Sequence, residues 1–268
     1  MKALQKTPVT KLFRWLRNKT HGQAIPTGFT PIDQFLPNDI FIVGYPKSGN
    51  TWFQDLVAGI AFGALPEFAP LHLVQDLVPD SHAVRYYKRY GKNAFFKSHS
   101  LPRPDFRRVV YLMRDGRDAM VSLLHYREAL ERKKYDFLGL VTADRSQFPG
   151  KWHEHIQAWL ANPFHAEMIV IKYEDLKTNT ALELQRFCDF AGLKRSPEFL
   201  QQIAESTAFE KMQAKEAVEG PCSPLWPKDK AFRRRGAVGS YKDEMPSDAL
   251  NAFIKESGSV LRQCGYLL

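Results

Sequence analysis

Apolar residues run almost without interruption through Asp39–Gly44 (DIFIVG), Ala94–Lys97, Arg108–Met113 and Met168–Lys172. Runs this short, rich in Ile, Val and Phe, predict strands covered on both faces. The intervening stretches change period. From Thr51 onward Trp52, Leu56 and Ile60, with Phe53 and Val57, recur at helical spacing, and Asn50 or Thr51 is the expected cap of the first turn. RDGRDAMVSLLHYREAL predicts a turn and then a helix from about Arg117 to Leu130, and the stretch after Tyr173 predicts a helix stopping near Gly192. Gly150–Leu160, with Trp152, Ile156 and Trp159 on one side, Pro197–Glu205 and Ser247–Leu261 complete the helical set. Strands alternating with helices predict an α/β fold, a single domain with a central parallel β-sheet flanked by helices. Residues 1–34 form an expected N-terminal arm and 35–268 the domain. No repeat of solenoid period and no low-complexity tract interrupts it.

One segment breaks the alternation. From about Ala214 to Tyr241, Pro221, Pro224 and Pro227 mix with Gly220, Gly236, Gly239 and the cluster Arg233, Arg234, Arg235. A long loop is expected there, and loops of that length in a domain are solvated segments or functional lids. Its arginines favour a lid that closes over an anion.

Composition narrows the partners. The 268 residues are 44% hydrophobic and 25% charged, ordinary values for a folded chain, and carry a net charge of +9. The pI near 9.4 points to an anionic partner. Cys188, Cys222 and Cys264 are odd in number and far apart, which argues against a disulfide framework or a zinc site and fits a reducing cytoplasm. No apolar run approaches the ~18 residues needed to span a bilayer, and the start lacks the apolar core of a secretory signal. Lys11–Lys19 (KLFRWLRNK) sets apolar among basic residues, either as a surface-docking helix or as an arm packed on its own domain.

The richest chemistry lies at Phe41–Phe53, FIVGYPKSGNTWF, where a strand enters a turn and then a helix. The N-terminus of a helix presents unpaired N–H groups and a positive dipole end, so an anion is favoured there. Lys47, Ser48 and Thr51 add a cation and two hydroxyls. The triphosphate motif GxxxxGK[ST] sets Lys after its second Gly. Here Lys47 precedes Gly49 and Asn50 occupies the Lys position, which weakens a Mg-dependent kinase reading.

The YPKSGNTW turn, the KSH triplet at Lys97–His99, RDGRDAMVS from Arg114 to Ser122 and RRGAVGSYK from Arg234 to Lys242 together resemble four signatures of the cytosolic sulfotransferase family, in the same order, over roughly residues 35–265. The resemblance implies transfer of a sulfuryl group from 3′-phosphoadenosine 5′-phosphosulfate (PAPS) to a hydroxyl or amine, without a metal. It implies that Ser48, Gly49, Asn50 and Thr51 hold the 5′-phosphate and that Lys47 reaches the bridging oxygen. His99 is implied as general base, with Lys97 stabilising the transferring group. Arg114 and Ser122, with Arg234, Arg235 and Gly236, would take the 3′-phosphate. Trp52, Tyr173, Thr207, Phe209, Met212 and Phe232 would surround the adenine, although a core position suits several of them equally. Asn50 stands where the family often has Thr, and the dimerisation signature of many animal members is not visible near Asp248–Leu268. Phe62, Phe68, Tyr87, Phe137, Phe148 and Trp152 are candidate walls for a small, apolar or aromatic acceptor. The cations fall at strand ends and in one loop, unlike the contiguous basic face of a nucleic-acid binder.

Overall fold

Along strand β2 (Ile40–Gly44) the side chains of Ile40 and Ile42 alternate with those of Phe41 and Val43, and all four are completely buried. The two sets enter different apolar clusters, one on each face of the sheet. This is the burial that a continuous apolar run demands, and it fixes β2 in the centre of a covered sheet. The structure is a computed structural model, and it describes residues 25–143, 149–220, 226–227 and 229–268. The 11–19 segment, Phe148, Pro221, Cys222 and Pro224 lie outside the described residues.

In chain order the elements are β1 (Thr30–Pro31), β2 (Ile40–Gly44), α1 (Asn50–Phe62), α2 (Leu71–Leu77), β3 (Tyr86–Tyr87), β4 (Phe95–Ser98), β5 (Arg108–Met113), α3 (Gly116–Glu131), α4 (Phe137–Thr142) and α5 (Trp152–Ala161). They continue with β6 (Glu167–Lys172), α6 (Tyr173–Thr178), α7 (Thr180–Ala191), α8 (Pro197–Ser206), α9 (Phe209–Glu219), α10 (Tyr241–Glu244) and α11 (Ser247–Gln263). The main sheet is parallel with order β4-β2-β5-β6. Within the predicted arm, β1 pairs antiparallel with β3. On one face α1 buries Phe53, Leu56, Val57 and Ile60 beside Leu184 and Phe187 of α7. Each such side chain contributes about 1.5–3 kcal/mol over leaving it exposed. The other face is covered by Trp152, Ile156 and Trp159 of α5 and by Phe253 and Val260 of α11.

Three expectations need correction. The cap of α1 is Gly49, in the left-handed conformation with φ 95°, rather than Asn50 or Thr51. The stretch after Tyr173 is two helices, because Asn179 leaves the helical region and its side chain caps Leu182 at the start of α7. Residues 214–219 belong to α9 rather than to the basic loop, since good helix formers continue until Gly220. Among the described residues no helix is long and apolar enough to cross a membrane.

Candidate active site

The sheet order sets the ends of β4, β2 and β5 side by side, so the segments that follow them meet at one edge, where open α/β sheets bind ligands. After β2 comes the turn Tyr45–Gly49. Its tightness depends on Gly49: a Cβ there would lie 2.9 Å from the Tyr173 ring, at a φ that side chains disfavour. Lys47 also adopts positive φ, 73°. The first helical bond runs from Phe53 N–H to Gly49 O, leaving the N–H groups of the opening turn of α1 without intrahelical acceptors. Asn50 is buried and spans the turn from inside; with its amide oriented to satisfy both ends, it donates to Tyr45 O (3.3 Å) and accepts from Gly44 N–H (3.0 Å). Ser48 does not face the cavity. Its N–H donates to Tyr45 O and its hydroxyl is buried without a partner among the described residues. Lys47 extends between two rings, 4.4 Å from the centre of Tyr126 and 4.7 Å from that of Phe232.

Beyond β4, the imidazole of His99 bonds through Nδ1 to Gly44 O at 2.7 Å. A carbonyl only accepts, so Nδ1 carries the hydrogen and Nε2 keeps its lone pair in the neutral ring. Burial, reinforced by the charge of Lys97, lowers the His99 pKa to about 3, so the ring is neutral near pH 7. Lys97 pairs with Asp80 at 3.0 Å and lies 3.5 Å from Thr51 Oγ1, joining β4 to the start of α1. Burial is the largest influence on Asp80 and opposes its ionisation, but Lys97, His99, His82 and the His82 N–H together outweigh it and lower the carboxyl to about 2. His82 stacks parallel to His99 and accepts the His99 main-chain N–H at 3.0 Å.

Helix α5 secures both strand ends from below. Trp152 Nε1 donates to Arg114 O (3.2 Å), His155 Nε2 to His99 O (3.3 Å) and Trp159 Nε1 to Ser100 O (3.0 Å). His155 in turn accepts from the Tyr111 hydroxyl at 2.9 Å.

After β5, Arg114 donates to Lys47 O (3.0 Å) and to Ala237 O (2.9 Å), and lies 4.3 Å over the Tyr173 ring. Asp118 is 3.9 Å from Arg114, and its stronger bonds receive the N–H groups of Gly239 (2.7 Å) and Tyr241 (2.9 Å). That buried carboxylate anchors the end of the basic loop to α3. The loop arginines are held by acids: Arg233 by Asp55 and Glu216, and both Arg234 and Arg235 by Glu244. Glu244 also receives His125 at 2.7 Å. Gly236, at φ 56°, lies against Phe209, which would leave its Cβ only 2.8 Å of space.

These parts surround one cavity of about 1850 Å³. Lys47, Gly49, Asn50, Thr51, Trp52, Lys97, His99, Arg114, Ser122, Tyr173, Thr207, Phe209, Met212, Phe232, Arg234, Arg235 and Gly236 all line it. Trp52 meets the edge of Tyr173, whereas Phe232 stands with Lys47 and Tyr126. Trp52 Nε1 and Arg114 Nε are buried without a partner among the described residues. The acceptor walls need correction. Tyr87, Phe137 and Trp152 are core residues, Phe62 packs with Tyr90 and Phe95, and Phe68 is 72% exposed. Ile32, Phe35, Tyr86, Phe106, Leu123 and Tyr126 line the cavity instead. Among the described residues no cluster of His, Cys, Asp or Glu is arranged to hold a metal ion.

Asp80, His82, His155, Tyr126 and Glu244 were not predicted. Of these, His155 had a legible signal, because it lies on the same helical side as Trp152 and Trp159.

Residues 37–265 match the family model described as a sulfotransferase domain. Sulfotransferase 1E1 of Bos taurus is 26% identical over 240 residues, covering 77% of this chain and 78% of the relative. Sulfotransferase 2A1 of Rattus norvegicus is 29% identical over 237 residues, covering 81% and 82%. Among solved structures, retinol dehydratase in complex with androsterone and the inactive cofactor PAP superposes with a TM-score of 0.66 at 21% identity, over 85% of this chain and 82% of that one. Mouse sulfotransferase SULT7A1 complexed with PAP gives 0.64 at 21% identity, over 85% and 87%. At that identity the structural likeness speaks for the fold.

Proposed function

Since the chain belongs to the sulfotransferase family, we propose that it moves a sulfuryl group from PAPS to the hydroxyl of a small, largely apolar acceptor, with His99 as general base. The observation that carries this reading is the fixed tautomer of His99. Its Nδ1 hydrogen is committed to Gly44 O, so Nε2 offers a lone pair at the wall of the same cavity that holds the helix terminus of α1. As the acceptor oxygen bonds to sulfur, its proton passes to Nε2, and the bond from sulfur to the bridging oxygen breaks with its electron pair leaving on the phosphate.

Lys47 bears on that leaving oxygen. Charge grows there only as the bond breaks, so a cation at that point lowers the barrier more than it tightens substrate binding. The opening turn of α1 receives the 5′-phosphate, and Arg114 with Ser122, Arg234, Arg235 and Gly236 the 3′-phosphate. Trp52, Tyr173, Thr207, Phe209 and Met212 flank the adenine. PAP, the bisphosphate product of PAPS, is the ligand of the solved neighbours, which supports the donor; retinol and androsterone in those neighbours, with Phe35, Tyr86 and Phe106 here, support an apolar acceptor. The buried free thiols Cys188 and Cys264 fit a cytoplasmic setting.

The test is His99→Ala, assayed with labelled PAPS against a panel of phenols and alcohols. Turnover is expected to fall about 10²–10⁴-fold, while PAP still raises the melting temperature. Undiminished turnover would remove His99 from the role of base. Failure of PAP to stabilise the unmutated protein would remove the donor assignment.

A further inference from the structure

The segment 79–82 joins the free edge of β4 by main-chain bonds. Lys97 N–H donates to Pro79 O and Ser81 N–H to Lys97 O, each at 2.9 Å, so Asp80 lies directly beside Lys97. Both oxygens of Asp80 are engaged. Oδ2 meets the Lys97 ammonium at 3.0 Å, and Oδ1 accepts the His82 N–H at 2.9 Å. The two paired side chains are only 11% and 13% exposed, which limits competition from water. A lysine is a point charge on a flexible stem, and the stem alone does not fix where the charge sits. Here the fixed carboxylate does, holding Nζ within 3.5 Å of Thr51 Oγ1 at the start of α1.

We infer that Asp80 is a positioning residue of the transfer reaction, setting the Lys97 ammonium between strand β4 and the phosphate turn so that it meets the transferring sulfonate. This rests on the sulfuryl-transfer reading. A carboxylate with one oxygen on a cation and the other on a main-chain N–H is poorly placed to remove a proton, which leaves that role to His99. The same edge segment steadies the base, since His82 accepts the main-chain N–H of His99 and the hydroxyl of Ser98. A purely structural ion pair would have no reason to extend to Thr51.

The test uses Asp80→Asn, which is isosteric and keeps an acceptor for His82 N–H, together with Lys97→Met and the double variant. In a crystal of Asp80→Asn with PAP, Lys97 Nζ is expected to leave the reach of Thr51; an unmoved Nζ overturns the inference without any acceptor being known. With labelled PAPS and 2-naphthol, kcat should fall about 10–100-fold while the KM for PAPS does not rise. In the Lys97→Met background the Asp80 substitution should cost less than about 2-fold, because its effect runs through Lys97. A KM increase at constant kcat, or an equal loss in both backgrounds, also overturns it. Wild-type protein that binds neither PAP nor PAPS would instead refute the sulfuryl-transfer reading on which the inference stands.

Discussion

The cavity has two sides built on different principles. At the strand ends, Gly44, His99 and Arg114 are tied by main-chain hydrogen bonds to neighbours that no ligand would displace. In the basic loop, Arg234 and Arg235 satisfy their charge on Glu244, a carboxylate that a phosphate dianion can replace. The first side is organised before any donor arrives; the second is occupied by a protein anion until one does. On the proposed reading the strand ends set the rate as well as holding phosphate, whereas the loop contributes affinity alone.

The largest effect should come from the organised side. Lys47→Ala is expected to lower kcat about 10²–10³-fold and change PAP affinity only a few-fold; comparable losses in both would erase the division. Gly49→Ala should cost about 1–3 kcal/mol of stability, measured by urea unfolding, because its Cβ meets Tyr173 at an unfavourable φ. PAP affinity should fall with it.

Acid should expose the same side. Burial, with Lys97, holds His99 down to about 3, and burial holds His155 down to about 4, against an ordinary value of 6.5. Between those values the unfolded chain binds more protons than the folded one, so stability falls as pH drops from 6.5 toward 4. Each such histidine adds a slope of about 1 kcal/mol per pH unit. Unfolding measured across that range should show a shallower slope in His99→Gln than in wild type. The loop should answer more weakly. Glu244→Gln releases Arg234 and Arg235 and is expected to tighten PAP binding about 3–10-fold by calorimetry, with kcat nearly unchanged; weaker binding would mean that Glu244 orders the arginines rather than competing for them. Addition of EDTA should leave turnover unaltered.

How legible the molecule was follows from the range of its interactions. The four strands of the parallel sheet were visible because Ile, Val and Phe in unbroken runs have little alternative to a covered strand. Helix α1 was visible by period, yet its cap was not, since side-chain preference pointed to Asn50 or Thr51 while the backbone needed Gly49. Lys47, His99 and Arg114 were reached through three of the four motifs, and all three line the one cavity. Asp80 and His82 were not, because their partners lie on another strand and the bridge from Asp80 to Lys97 leaves no periodic trace. The aromatic walls failed for a related reason: hydrophobicity identifies a residue to be covered, and only the assembled sheet determines whether core or cavity covers it.

Helix α5 touches the carbonyls of Arg114, His99 and Ser100 through Trp152, His155 and Trp159. The proposed base and the proposed phosphate ligand, from the ends of successive strands β4 and β5, thereby share one rigid datum. The pair β1–β3 lines another part of the cavity through Pro31 and Tyr86 and bears none of that alignment. Substitutions there can reshape which molecule is admitted while the spacing of the reacting groups stays constant, so the architecture lets new substrates be explored without the chemistry being reinvented each time.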